Sequence, residues 1–353
     1  MRDDKPSMDA AGAIDVLTLT QGGQDPAGVA ARLAGFLDEA RTSLDLAVYD
    51  VHLSPALAET IRAPLRRATE RGVRIRFAYN APMDIPKGPP PPRTDPALLD
   101  GLGIPSVGLP GVPDLMHHKY VVRDRAAVWT GSTNWSDDSW SREENLICTV
   151  ASAPLAMVYE DDFEQLWRSH DVARSGRVSS APIAVDGVHV TPWFAPGRAN
   201  ALVHRVASAI GNARRRIRIA SPVITSGPIL GTLVEVADEG RVDLGVMIDA
   251  TQVHEVLSQW AHAHGGKRVM LERIARDVRT RGKHSTPWGP TTIHDFMHAK
   301  VTVADGTVFL GSFNLSRSGE SNAEDVLEIE DGALADRLAT YIDGLRARYP
   351  AFS

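Results

Sequence analysis

The sequence predicts an α/β protein made of two similar halves, each a largely parallel mixed sheet flanked by helices. Three observations predict it. Helical and strand-like hydrophobic periods alternate along the chain. One long motif occurs twice. The 353 residues, 43% hydrophobic and 23% charged, suffice for the core of a large globular protein.

In order, Leu33 to Ala40 reads as a helix, Leu44 to Tyr49 as a strand, Ala56 to Glu70 as a helix ended by Gly72, and Val73 to Tyr79 as a strand. The same order returns as a helix over Ala201 to Ala213, a strand over Ile217 to Ala220, a helix over Ile229 to Ala237 and a strand over Val242 to Ile248. Strands alternating with helices imply parallel pairing with both sheet faces covered. The halves are expected at 1–172 and 187–353, joined by a linker at 173–186 in the Arg-, Ser-, Gly- and Pro-containing stretch after Trp167. Pro82 to Pro96, with four consecutive prolines, reads as a stiff loop beside the site.

The first motif copy reads Met116-His117-His118-Lys119, with Asp124, then Gly131-Ser132-Thr133-Asn134 and Glu144-Asn145. The second reads Met297-His298-Ala299-Lys300, with Asp305, then Gly311-Ser312-Phe313-Asn314 and Glu324-Asp325. From His to Glu the copies span 117 to 144 and 298 to 324, a drift of one residue. H-x-K in an apolar alternating run puts imidazole and ammonium on one face of a strand. Two such faces brought together make a phosphate site with two imidazoles and two ammonium groups. His118 has no counterpart, since Ala299 stands there, and is not assigned to the site.

This doubled H-x-K-x4-D and G-S-x-N pattern resembles the phospholipase D superfamily over about residues 30 to 345, and the first copy is similar to its cardiolipin hydrolase and endonuclease branch. That branch's Asn two residues before the Glu is kept as Asn322, whereas Arg142 stands two before Glu144. The resemblance implies two phospholipase D-type halves packed about a pseudo-twofold axis. It also implies displacement at a phosphodiester through a covalent phosphohistidine, with hydrolysis or transfer to an alcohol. His117 and His298 would be nucleophile and acid, His117 being the nucleophile by analogy. Lys119 and Lys300 would neutralise phosphate oxygens, and Ser132, Asn134, Ser312 and Asn314 would bond them. Glu144 and Glu324 would stand behind His117 and His298 respectively, while Asp124 and Asp305 would secure the motifs.

No metal or other cofactor is expected, because an ammonium beside each imidazole would repel a cation. A net charge of −6 argues against a protein that coats nucleic acid over its whole surface. One local basic stretch, Lys267 to Lys283, sets seven cationic side chains against Glu272 and Asp277 and is a candidate rim for an anionic substrate. Trp288 is a candidate substrate-facing aromatic, and His294 and Asp295 either touch substrate or end a loop. The lone Cys148 reads as a core thiol, and with no apolar run at the start or of bilayer length the chain reads as cytoplasmic. A monomer is expected, with both halves forming one site. The favoured substrate is a phospholipid; a metal-independent nuclease and a non-catalytic phosphate-binding module are the alternatives.

Overall fold

The computed structural model describes residues 12–81, 94, 96–110, 114–262, 265–277, 279–287, 289 and 291–353. The first half opens with β1 (Ile14–Leu19), α1 (Pro26–Asp38), β2 (Ser43–Val48), β3 (Val51–His52), α2 (Pro55–Glu70), β4 (Arg74–Asn80) and β5 (Ser106–Leu109). It continues with β6 (Lys119–Arg123), β7 (Ala127–Gly131), β8 (Trp135–Ser136), α3 (Asp137–Ser141), β9 (Asn145–Ala151) and α4 (Ala153–Ser169). The second half contains β10 (Ile183–Val185), β11 (Val188–Ala195), α5 (Ala199–Asn212), β12 (Arg216–Ala220), α6 (Gly227–Glu239), β13 (Asp243–Asp249), α7 (Ala250–Gln259) and α8 (Gly265–Ala275). It closes with β14 (Thr280–Lys283), β15 (Val301–Ala304), β16 (Thr307–Gly311), α9 (Arg317–Ser321), β17 (Glu324–Glu330) and α10 (Gly332–Arg348).

Helix boundaries follow local chemistry. Asp25 caps α1 by accepting from the backbone N–H groups of Ala27 and Gly28, with Pro26 at the first helical position. Ser152 caps α4 in the same way, and α6 ends at Gly240 in the left-handed conformation (φ 63°).

Besides a two-stranded parallel sheet of β3 and β8, there are two large sheets, with orders β1-β9-β7-β6-β2-β4-β5 and β10-β11-β17-β16-β15-β12-β13-β14. Both large sheets are mixed, but parallel pairing in them is confined to β2–β4–β5 and β12–β13–β14. The motif strands pair antiparallel, as in β6–β7–β9 and β15–β16–β17. Helix–strand alternation holds only for the first part of each half; short turns after Asp124 and Asp305 then force hairpins. Residues 183–185, within the expected linker, form β10 of the second sheet.

Strands β2 and β12 are covered on both faces. Leu44, Leu46 and Val48 face a core under α1 and α2, while Ile217 and Ile219 face the equivalent core under α5 and α6. A third core lies between the sheets and takes residues of both halves, including Tyr159 and Phe163 of α4, Leu338 and Ile342 of α10, Val122 and Val303. Burying α4 and α10 between the sheets joins the halves as one hydrophobic unit. Cys148 lies in this core, and burial pushes its thiol up to about 12.

Candidate active site

Each motif histidine sits in the loop just ahead of its strand, and the lysine opens or immediately precedes that strand. Asn80 Oδ1 accepts from Met116 N (2.9 Å) and Asp249 Oδ2 from Met297 N (3.0 Å), tying both loops to the ends of the parallel strands β4 and β13. The loops then cross between halves. His117 N donates to Ala323 O (2.9 Å) and Ala323 N to Leu115 O (2.8 Å). Reciprocally, His298 N donates to Glu144 O (3.0 Å) and Glu144 N to Phe296 O (3.3 Å). This exchange places the four H-x-K side chains in one another's fields: both lysines depress His117 and His298, and Lys119 depresses Lys300.

Burial is the first cause of those shifts. It holds both imidazoles well below the ordinary histidine value, lowers Lys119 to about 8 and carries Lys300 well down. Cationic groups that suppress one another's protonation regain charge when an anion binds among them, so the cluster suits a phosphate. Each ammonium is oriented by its own motif: Lys119 Nζ donates to His117 O (2.7 Å) and Lys300 Nζ to His298 O (2.6 Å). Tyr49 backs one side, its ring 4.6 Å from His117 and 4.8 Å from Lys119 Nζ.

The carboxylate pairing expected from sequence is corrected. Glu324 Oε2 contacts His117 Nδ1 (2.8 Å) from the opposite half and does not stand behind His298. Glu144 contacts neither imidazole; its carboxylate is taken by Lys283 Nζ (2.7 Å) and the Tyr349 hydroxyl. Behind His298 Nδ1 lies Asn145 Oδ1 (3.2 Å), with Glu143 Oε2 at 3.6 Å. The reciprocal bridges Met116–Ala323 and Met297–Glu144 make Glu144 the equivalent of Ala323. Asn145 therefore matches Glu324 and Glu143 matches Asn322. The first half carries one more residue between its Gly-Ser and this strand, and that insertion displaces the match by one.

The serines are also reassigned. Ser132 Oγ donates to Asn145 Oδ1 (2.6 Å) and accepts from Leu146 N (3.0 Å), while Ser312 Oγ accepts from Asp325 N (3.0 Å) and bonds Glu324. Both are fully buried and hold the residues behind the imidazoles. Asn134 and Asn314 are half-buried, each with an Oδ1 lacking a protein partner. Gly131 and Gly311 precede the serines; a Cβ at either would collide with the carbonyl oxygen of Leu146 or Asp325. Asp124 accepts from the backbone of Arg41, Thr42 and Ser43, and Asp305 from Arg214, Arg215 and Arg216, at the far end of the motif strands.

Four of the seven cationic side chains of the basic stretch are engaged in ion pairs. Arg268 pairs with Glu272, Arg273 with Asp238 and Asp277, Arg279 with Asp277, and buried Lys283 with Glu144. Asp295 accepts from Thr286 N and His294 N donates to Asp138, which ties that loop down across the halves. Trp288 lies outside the described residues, as does most of Pro82–Pro96; Thr94, which is described, donates to Tyr49 O (2.8 Å).

Sequence reasoning passed over His118. It is fully buried between Asp162 (3.1 Å) and Asp325 (3.4 Å), and Asp325 also accepts from Thr130 and Tyr159. Burial works against its charged form, but the two carboxylates outweigh burial and raise it to about 9. Asp162 comes from α4 and Asp325 from β17, so an imidazolium clamps the halves directly behind the site. A histidine raised in the fold stabilises it fully below its unfolded value and loses that contribution as pH rises through about 9. The stability gap between wild type and His118→Gln, followed by chemical denaturation, should therefore narrow from pH 6 to pH 10. A gap that widens over this range would contradict the clamp.

A family model described as cardiolipin synthase, PLD-like domain, matches residues 33–167 and 206–346. The mitochondrial cardiolipin hydrolase of Xenopus tropicalis is 28% identical over 142 residues, 40% of this chain and 62% of that protein. The Xenopus laevis protein of the same name is 39% identical over 59 residues, 16% of this chain and 28% of that protein. The chain thus spans less than two thirds of the length of these relatives. Among solved structures, phosphatidylserine synthase of Haemophilus influenzae Rd KW20 is similar in fold, with a TM-score of 0.67 at 12% identity, covering 96% of this chain and 87% of that one. With the family model matched once in each half and both H-x-K motifs meeting in one site, the chain belongs to the cardiolipin synthase, PLD-like domain family.

Proposed function

We propose that this protein is a phosphodiesterase that cleaves a phospholipid headgroup ester through a phosphohistidine, with both halves contributing to one active site. One observation carries the reading. Two imidazoles from different halves each have Nδ1 against an oxygen acceptor, and two ammonium groups share their field. Ser312 and Asn322 donate to Glu324, and burial raises that carboxyl to about 8 against Lys119, Ser312 and Lys300; with Oε2 as acceptor, His117 carries its proton on Nδ1. Nε2 of His117 then bears the attacking lone pair. Lys119 and Lys300 meet the charge that grows on the phosphoryl oxygens, and Asn134 and Asn314 can donate to the same oxygens through Nδ2.

A phospholipid is favoured because the similar proteins are named for phospholipid hydrolysis and synthesis, and because four of the seven cations in 267–283 are already taken up in ion pairs. Whether water or an alcohol resolves the intermediate depends on which acceptor reaches the phosphohistidine. Since one chain supplies both halves, a monomer suffices.

Two ammonium groups do the neutralisation that a metal ion would otherwise do. Hydrolysis of phosphatidylglycerol or cardiolipin in mixed micelles, and of bis(p-nitrophenyl) phosphate, should therefore persist in excess EDTA. Activity lost on chelation and restored by a divalent ion would defeat the ammonium assignment. Cleavage of a single-stranded oligonucleotide with no lipid turnover would move the substrate to nucleic acid.

A further inference from the structure

The two outer positions behind the imidazoles are transposed between the halves. The second half reads Asn322-Ala323-Glu324 and the first Glu143-Glu144-Asn145, matched through the reciprocal bridges at Ala323 and Glu144. The transposition keeps one carboxylate and one amide on each side but reverses which of them touches the ring. His117 meets a carboxylate at 2.8 Å. His298 meets an amide oxygen at 3.2 Å, with a carboxylate oxygen beyond it at 3.6 Å. The amide and carboxylate are locked together: Asn145 Nδ2 donates to Glu143 Oε2 (3.0 Å), and Ser139 Oγ donates to the same oxygen (2.7 Å). Glu143 and Asn145 are buried, and Asn145 Nδ2 also reaches Ser139 O (3.4 Å), which fastens the pair to α3.

We propose that Glu143 is a positioning residue for His298, acting beside and through Asn145. The inference rests on the phosphodiesterase reading, with His298 as the acid, and adds a positioning residue to it. An ionised acceptor binds an imidazolium about twice as strongly as a neutral one. Burial raises Glu324 to about 8, against Lys119, Ser312 and Lys300, and its direct contact lets that carboxyl ionise as the His117 ring becomes a positive N-phosphoryl imidazole. The amide leaves the His298 imidazolium the more acidic of the two; a backbone hydrogen bond to Ser132 raises it against burial, Lys300, Lys119 and His117, and Glu143 places a carboxyl oxygen 3.6 Å from the same ring. Burial raises Glu143 to about 7, against the donors Ser139 and Asn145 and the field of Lys300, with Asp138 also raising it.

In the first step Nε2 of His117 bonds to phosphorus, the P–O bond to the leaving group breaks, and its oxygen takes the proton of His298 Nε2. In the second, water bonds to phosphorus and gives a proton back to His298 Nε2, and the P–N bond breaks with its electron pair returning to His117.

The test is a series of symmetrical diaryl phosphates from bis(p-nitrophenyl) to diphenyl phosphate, so that the leaving oxygen becomes steadily more dependent on a proton donor. Glu143→Gln should lose rate increasingly along the series, by about tenfold more for diphenyl than for bis(p-nitrophenyl) phosphate, within the range of general-acid effects. The double variant Glu143→Asn with Asn145→Glu, which gives the first half the order of the second, should flatten that dependence again. Equal proportional losses along the series, or no loss, overturn the inference. A wild type inactive on every ester defeats the phosphodiesterase reading itself; an active wild type with a flat Glu143→Gln response defeats only the role of Glu143.

Discussion

Replacing His117 or His298 by alanine should each reduce phosphodiester turnover by about 10³-fold or more, since each removes either the nucleophile or the acid. The double variant should be scarcely slower than either single one, because residues that act as a unit are not additive. The motivation is the crossed backbone pairing, which leaves neither half with a complete site: His117 is oriented by Glu324, and His298 by Asn145. Steady-state rates on bis(p-nitrophenyl) phosphate decide the matter. Two single variants that each keep about half the wild-type rate would mean two independent sites.

The largest effect on stability should come from Asp325→Asn. This carboxylate is fully buried, accepts from Thr130 and Tyr159 and faces the His118 imidazolium. Burial alone would raise its pKa, but His118 and the two hydroxyls hold it below the usual carboxylate range. Removing its charge leaves a buried cation with Asp162 as its remaining anion, and breaking a buried pair in this way costs about 3–5 kcal/mol. Because α4 and β17 meet at this point, the loss should show as a lower urea midpoint for the whole chain. A midpoint within experimental scatter of wild type would show that the halves are held by their apolar contacts alone.

Local sequence carried much of the fold. The helices found at 55–70, 199–212 and 227–239 and the strands at 43–48, 74–80, 216–220 and 243–249 lie close to the expected ones, because each is decided by residues within a turn or two. The helix expected over Leu33 to Ala40, by contrast, begins already at Pro26 and ends at Asp38. Antiparallel pairing of the motif strands was less legible. A strand buried on both faces has the same apolar run whether its neighbour is parallel or antiparallel, and only the tight turns at Asp124 and Asp305 separate the cases.

By itself the sequence determined that there are two halves and that each brings one H-x-K pair, and it pointed to His117, Lys119, His298 and Lys300 as the residues proposed to meet a phosphate. The tertiary structure decided which side chain stands behind each imidazole. It moved that role from Glu144 to Glu324 for His117, and from Glu324 to Asn145 and Glu143 for His298. It also bonded Ser132 to Asn145 and Ser312 to Glu324, paired Lys283 with Glu144, and gave His118 a partner on each half. The physical reason is common to all of these. Such contacts depend on backbone register between segments far apart in the chain, and an insertion of one residue shifts every match in a strand without disturbing its hydrophobic pattern enough to be seen.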